Sequence, residues 1–94
     1  HYHKKTTRTL YFTNEVIVIK NGKLRVDFYD NKKKYFESYI LTAGDVMLLE
    51  SGGHGFKVLE DIDMVEVKQG PYIQDNDKDR FEGVKDKDVI LNYE

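Results

Sequence analysis

The chain has 94 residues and no cysteine, which excludes a two-domain enzyme, disulfides and thiolate metal sites. Fifteen basic residues against seventeen acidic ones give a net charge of −2, without the positive excess that drives nucleic-acid binding. Apolar runs are too short to cross a bilayer and no signal-peptide pattern opens the chain. We therefore expect a cytoplasmic protein that binds neither nucleic acid nor membrane.

The composition favours an all-β fold. Residues that prefer strands (Val, Ile, Thr, Tyr and Phe) make up 32 of the 94, whereas Ala43 is the only alanine. Regular spacing of the strand signals indicates a meander or Greek-key sheet that closes on itself, since an open sheet would leave long unpaired edges. Seven strands are predicted, at residues 8–12, 15–20, 24–29, 35–42, 46–49, 54–59 and 62–68.

The strand pattern also predicts the position of two turns and the burial of one strand. Asn21 and Gly22 tolerate the positive φ of a type I′ turn, so a hairpin is predicted between the strands on either side. The strand that precedes it, residues 15–20, is apolar at successive positions, which predicts that both of its faces are covered. Another break between strands is expected at Glu60-Asp61.

The composition changes near Gly70-Pro71, which divides the chain into two parts. Residues 1–74 carry the strand pattern and predict one β-barrel. Residues 75–94 contain seven acidic and four basic side chains with few apolar ones, which indicates a charged tail. We expect this tail to pack on the barrel or on a partner subunit, and we expect a homodimer because a chain this small benefits from association.

The three histidines are candidate metal ligands. On an extended segment His1 and His3 project from one face and can bind the same ion. His54 follows two glycines at the start of a predicted strand. The alternatives are a frayed terminus or a tag remnant for the first pair, and for His54 a hairpin-end imidazole bonded to a nearby carbonyl.

In their order along the chain these residues resemble the cupin superfamily. Its first motif has a His-x-His pair, a glutamate and, after six further residues, a glycine at a turn. The positions of this motif hold His1, His3, Glu15 and Gly22. The second motif, a glycine, a strand, a tight turn and a third histidine, matches Gly44, 46–49, 51–53 and His54.

The resemblance implies a small jelly-roll barrel, the double-stranded β-helix. The usual N-terminal strands of that barrel would lie outside this sequence or come from a neighbouring subunit. It also implies one divalent metal ion (Fe, Mn, Ni, Zn or Cu) bound by His1, His3 and His54, with Glu15 as the fourth ligand. The implied function is isomerase or epimerase chemistry on a small polar ligand such as a sugar derivative. A metal-free binding or dimerising module is the alternative, because the fold does not fix the function.

Strand alternation provides further candidates for ligand binding. If His54 points inward then Phe56 does too, while Arg25 and Tyr29 would suit a sugar or small acid at the mouth of a barrel or equally a solvated outer face. For the last strand two inward sets stay open, Val65 and Val67 or Met64, Glu66 and Lys68. The candidate ligand-binding residues are Arg25, Tyr29, Phe56, Glu66 and Lys68.

Overall fold

The computed structural model describes residues 1–7, 9–70 and 79–92. Within them one antiparallel sheet contains four strands: β1 (Glu15–Tyr29), β2 (Tyr35–Thr42), β3 (Val46–Leu49) and β4 (Gly53–Lys68). The all-β prediction is confirmed. The jelly-roll barrel is not formed by these residues, because the described sheet stays open, with no pairing between β4 and either β2 or β3.

Helical structure is limited in the described ranges to a single 3₁₀ turn at Asp86–Asp88. No helix in these ranges is long and apolar enough to span a bilayer.

β1 is the central strand and pairs with all three others. β3 pairs with its first half and β2 with its second half, both antiparallel. β4 pairs with both halves, from Lys68 opposite Glu15 to Gly53 opposite Tyr29. Because β4 occupies one edge of β1 throughout, β2 and β3 follow one another along the other edge.

Four strands replace the seven predicted, because two predicted turns are irregularities within longer strands and the described residues of the predicted strand 8–12 form no strand. The Asn21-Gly22 hairpin is wrong: β1 continues through both residues, and β4 likewise continues through Glu60-Asp61. Register shifts between β1 and β4 lie from Ile19 to Leu24, and bulges of this kind bend a sheet without ending it. In the predicted strand 8–12, Arg8 lies outside the described residues and the others are not in a strand.

The irregularity in β1 changes which side chains face the core. Ile19 and Leu24 are both buried in the core cluster although they are separated by an odd number of positions, which a regular strand would place on opposite faces. Both halves of β1 therefore direct apolar side chains into one interior. The core cluster is Ile17, Ile19, Leu24, Val26, Leu41 and Leu49.

The C-terminal segment, residues 79–92, packs on the second half of the sheet in its own chain. The Phe81 ring meets Tyr29 edge to face at 4.9 Å between centroids, and the backbone N–H of Val84 donates to the Tyr29 hydroxyl at 2.7 Å. Ser38 and Leu91 form a parallel bridge further along. The first part of the predicted tail, 75–78, lies outside the described residues.

Candidate functional site

A cavity of about 600 Å³ lies where the two ends of β1 and β4 come together with the C-terminal segment. A smaller cavity of about 250 Å³ adjoins it and shares Glu50, Gly53 and His54 with it. Most of the site residues predicted from the sequence line the larger cavity, namely Glu15, Tyr29, His54, Phe56, Glu66 and Lys68. We take this cavity as the candidate ligand site.

The start of β4 places His54 and Phe56 on the cavity side. His54 lies opposite Phe28 in the register and Phe56 lies opposite Val26, and directly paired residues share a face of the sheet. Because Val26 belongs to the core, both rings point to the interior side, with 5.2 Å between their centroids. The inward orientation predicted for His54 and Phe56 therefore matches the register.

The end of β4 contributes the polar members of the lining. Glu66 is paired with the buried Ile17, and Lys68 is paired with Glu15, so both share the interior face. Of the two alternatives left open by strand alternation, the register selects the set with Met64, Glu66 and Lys68. The other set, Val65 and Val67, faces outward.

Glu15 and His54, far apart in sequence, meet in the cavity wall. Nε2 of His54 lies 3.5 Å from Oε2 of Glu15, within the distance of an ion pair. The side chains are 31% and 14% exposed respectively, so solvent reaches the imidazole more than the carboxylate. A carboxylate beside an imidazole fixes the orientation of the ring, which suits the pair to hydrogen bonding with a bound ligand.

The structure brings together two of the four predicted metal ligands, Glu15 and His54. His1 and His3 lie in the exposed N-terminal segment, with ring centroids 5.0 Å apart, and neither lines the cavity. No three His, Cys, Asp or Glu side chains form a group able to hold a metal ion in residues 1–7, 9–70 and 79–92. Protein zinc sites use at least three ligands. The pair of Glu15 and His54 therefore does not fit a resident metal, and the metal ion stays a prediction from the cupin resemblance.

Arg25 lies away from the cavity, in a buried polar network under the C-terminal segment. Its Nε and Nη2 donate to the two carboxylate oxygens of Asp27 at 2.8 and 3.0 Å, and Nη1 donates to Asp86 at 3.1 Å. The pKa of Arg25 is raised, chiefly by the hydrogen bonds to Asp27. These contacts occupy the guanidinium, so the structure gives Arg25 a role in holding the C-terminal segment that forms one cavity wall.

The C-terminal segment contributes cavity residues that no sequence motif predicts. Asp79, Arg80 and Phe81 all line the cavity. Phe81 could have been predicted to pack against the sheet, because it is an isolated aromatic residue in a strongly charged stretch. Nothing local in the sequence indicates where that stretch docks.

Asp86 makes the docking of the C-terminal segment sensitive to acid. The ion pair with Lys57 lowers the pKa of Asp86 most, and the Arg25 guanidinium lowers it further. Because the folded-state pKa is depressed, the stabilisation is complete above the ordinary aspartate pKa of about 3.9 and is lost as the pH falls through the lower folded value.

We expect acid to loosen the contacts of residues 79–92 in the wild-type protein. An NMR titration of the Val84 amide, which donates to Tyr29, should show this as a chemical-shift change on the acid side of the ordinary aspartate pKa. In Asp86→Asn that change should disappear. An identical acid titration in both proteins would assign the effect to a different group.

Comparison with protein-family models, with curated proteins and with solved structures gives no match to this chain.

Proposed function

We propose that the protein binds a small, neutral, hydroxylated molecule, such as a sugar or sugar derivative, in the cavity beside Glu15 and His54. The observation that carries this proposal is the combination of aromatic rings with polar side chains around one opening. Small-molecule sites are usually concave, with apolar walls and a few convergent polar groups that fix orientation. A pyranose-sized ligand needs both kinds of surface.

The apolar part of the cavity is aromatic. The rings of Tyr29, Phe56 and Phe81 all belong to its lining. Phe81 and Tyr29 pack edge to face, and Phe56 lies next to His54. Aromatic faces offer a large apolar area to the C–H faces of a sugar ring, and their low flexibility keeps the entropic cost of binding small.

The charges of the lining favour a neutral ligand over an anion. Four carboxylates contribute to the described lining, against one lysine, one arginine and one histidine. Carboxylates accept hydrogen bonds from hydroxyl groups, and bonds to a charged acceptor are stronger than neutral ones. Asp79 is paired with Lys33 at 2.9 Å, so the carboxylates that disfavour an anionic ligand are chiefly Glu50 and Glu66. The charged residues concerned are Glu15, Glu50, Glu66 and Asp79 on one side and Lys68, Arg80 and His54 on the other.

NMR titration with a panel of neutral sugars, amino sugars and sugar acids tests the proposal. We expect neutral sugars to shift the His54 and Gly55 signals with saturable binding, and Phe56→Ala to weaken binding by about tenfold, because loss of an aromatic contact costs about 1 kcal/mol or more. Val58→Ala is the matched control, because Val58 lies on the same face of β4 outside the cavity lining. If only sugar acids bound, or both variants bound equally well, the proposal would be wrong.

The Glu15–His54 pair supports a second candidate, an isomerase or epimerase that needs no metal. In this reaction the imidazole removes a proton from the carbon next to a sugar carbonyl, and the C–H electron pair forms an enediolate. The imidazolium then returns the proton to the same carbon, or to the neighbouring carbon when the hydroxyl proton shifts to the former carbonyl oxygen. The same samples in D₂O distinguish catalysis from binding. Catalysis would replace that C–H signal by deuterium in the wild type but not in His54→Gln, whereas simple binding leaves the signal unchanged in both.

The cupin relationship, the divalent metal ion and the cytoplasmic location stay predictions of the sequence. Binding of a neutral sugar in this cavity does not depend on any of them.

A further inference from the structure

The C-terminal segment, residues 79–92, is held on the sheet with little buried apolar surface. None of its residues is buried, and only Phe81, Val84 and Val89 are half-buried. By contrast, β1 supplies most of the buried residues that the structure describes. Elements with few buried apolar contacts open at a lower free energy than the core of the same protein.

The surface beneath the segment keeps its own hydrogen bonds when the segment leaves. Arg25 and Asp27 are joined by two hydrogen bonds, and Ser38 donates a third to the same carboxylate. All three side chains are buried and belong to the sheet. At Arg25, separation of the segment removes only the contact with Asp86, and water can take the place of that carboxylate. No buried charge is left without its partner.

The hydrophobic core lies on the other side of the same strand. Side chains alternate along a strand, so Arg25 and Asp27 point away from the core residue Val26. The segment contacts the Arg25 side of the strand through Asp86. Its departure therefore leaves the core cluster covered as before.

The segment carries one wall of the cavity. Asp79, Arg80 and Phe81 belong to the lining. The Phe81 ring packs edge to face on Tyr29. A Cβ at Gly53 would lie 3.0 Å from Cζ of Phe81, so the glycine leaves the space in which the ring docks. When the segment separates, the cavity loses these three side chains and opens on that side.

Polar contacts fasten the segment to the sheet along its whole length. They join Asp79 to Lys33, Val84 to Tyr29, Asp86 to Arg25 and Lys57, and both Ile90 and Asn92 to Ser38. Each contact keeps the next one within reach of its partner, so the contacts form and break together. Asp86 lies in the middle of the series and contacts two cations, and bonds between charged groups are the stronger ones.

We propose that the C-terminal segment is a detachable wall of the cavity, which leaves the sheet and returns as one unit while the four strands stay folded. The ligand enters and leaves while the segment is detached. The opening follows from the contacts of the segment, whereas its use by a ligand rests on the function proposed above.

Native-state hydrogen exchange in increasing urea tests the opening without any ligand. The amides of Val84, Ile90 and Asn92 report on the segment, and so does that of Ser38, which donates to the Ile90 carbonyl although Ser38 belongs to β2. We expect these four to share one opening free energy that depends little on urea, and the Ile19 amide in β1 to exchange only by global unfolding. A single urea-dependent step for all five would overturn the separate opening. Unrelated values for the four would overturn the unit.

Asp86→Asn tests the fastening at a position outside the cavity lining. We expect exchange about fivefold faster at Val84 and equally at Asn92, six positions further along, because the whole segment loses an ion pair. Asp88→Asn is the matched control, since it removes the same charge from an exposed position of the same 3₁₀ turn and should change neither rate. Faster exchange at Val84 alone, or equal effects of the two variants, would contradict the proposal.

A ligand provides the second readout. A neutral sugar at a hundred times its dissociation constant should slow exchange of the segment amides about a hundredfold, because it binds the closed form and lowers the open population. If a sugar bound and left this exchange unchanged, the segment would not be the route of the ligand. If no sugar bound, the proposed function and the ligand route would both be wrong, and the ligand-free exchange would still decide the opening.

Discussion

Replacement of Gly22 by alanine is expected to lower the free energy of unfolding by about 4 kcal/mol, a large share of the roughly 5 to 15 kcal/mol that holds a small domain folded. Gly22 has a φ of +94°, which L side chains rarely adopt. A Cβ at this position would also overlap the carbonyl oxygen of Asp61 and lie 2.9 Å from the Cα of Ile62. Both neighbours are backbone atoms of β4, so they cannot move aside without breaking the pairing that bends the sheet.

Gly44→Ala is the matched control for this prediction. Gly44 has nearly the same φ, +93°, but an added Cβ would meet nothing within 4 Å. It should lose only about 1 kcal/mol, which is the cost of the left-handed conformation less the stability gained because alanine lowers the entropy of the unfolded chain. Urea unfolding of both variants measures their losses in unfolding free energy. The difference between the two losses is the cost of the overlap between the added Cβ at position 22 and the backbone of β4. Equal losses would mean that β1 and β4 do not approach closely at Gly22.

Asp27→Asn is expected to destabilise the protein by about 3 kcal/mol, because it leaves the Arg25 guanidinium buried without its main counter-charge. Arg25 is 8% exposed and Asp27 5% exposed, and their contact is bidentate. The same carboxylate accepts a hydrogen bond from Ser38 Oγ at 2.5 Å, and Ser38 in turn contacts the Tyr35 hydroxyl at 2.7 Å. The loss of one charge therefore disturbs the whole network.

Two comparisons identify the physical origin of this loss. Asp86→Asn removes a neighbouring charge whose side chain is 64% exposed, so it should change the unfolding free energy much less than Asp27→Asn does. The double variant Arg25→Met with Asp27→Leu removes both buried charges and should be more stable than Asp27→Asn alone. If the double variant were the less stable of the two, the ion pair itself and not the stranded arginine would be the source of stability.

Part of the candidate site followed from sequence alone because strand alternation is a local rule. Residues two apart in a strand share a face, which was sufficient to group His54 with Phe56 and Glu66 with Lys68. The same rule could not choose between Glu66 and Val65 as inward residues, since both faces of this strand carry apolar side chains. That choice depends on which residue lies opposite Ile17, and register is a property of the pair of strands.

The metal prediction required His1 and His3 to lie close to His54, and the order of residues in the sequence does not determine that distance. His1 and His3 are near each other on any extended segment, but convergence with His54 requires the N-terminal segment to enter the sheet. In the described residues it remains outside the strands and exposed. Of the four predicted metal ligands, all within the described residues, Glu15 is the one that contacts His54, because it begins β1 and lies opposite the last residue of β4.

Composition and spacing by themselves determined the all-β class, the positive φ available at Gly22 and the pairs of residues that share a strand face. Tertiary structure alone decided that Asn21-Gly22 bends a strand and does not end it, that Arg25 is buried under the C-terminal segment, and that Phe81 lines the cavity. These outcomes depend on contacts between distant parts of the chain, such as Gly22 against Asp61 and Arg25 against Asp86 across 61 positions. Local propensity does not encode such contacts, because their free energy arises only when both partners are brought together and buried.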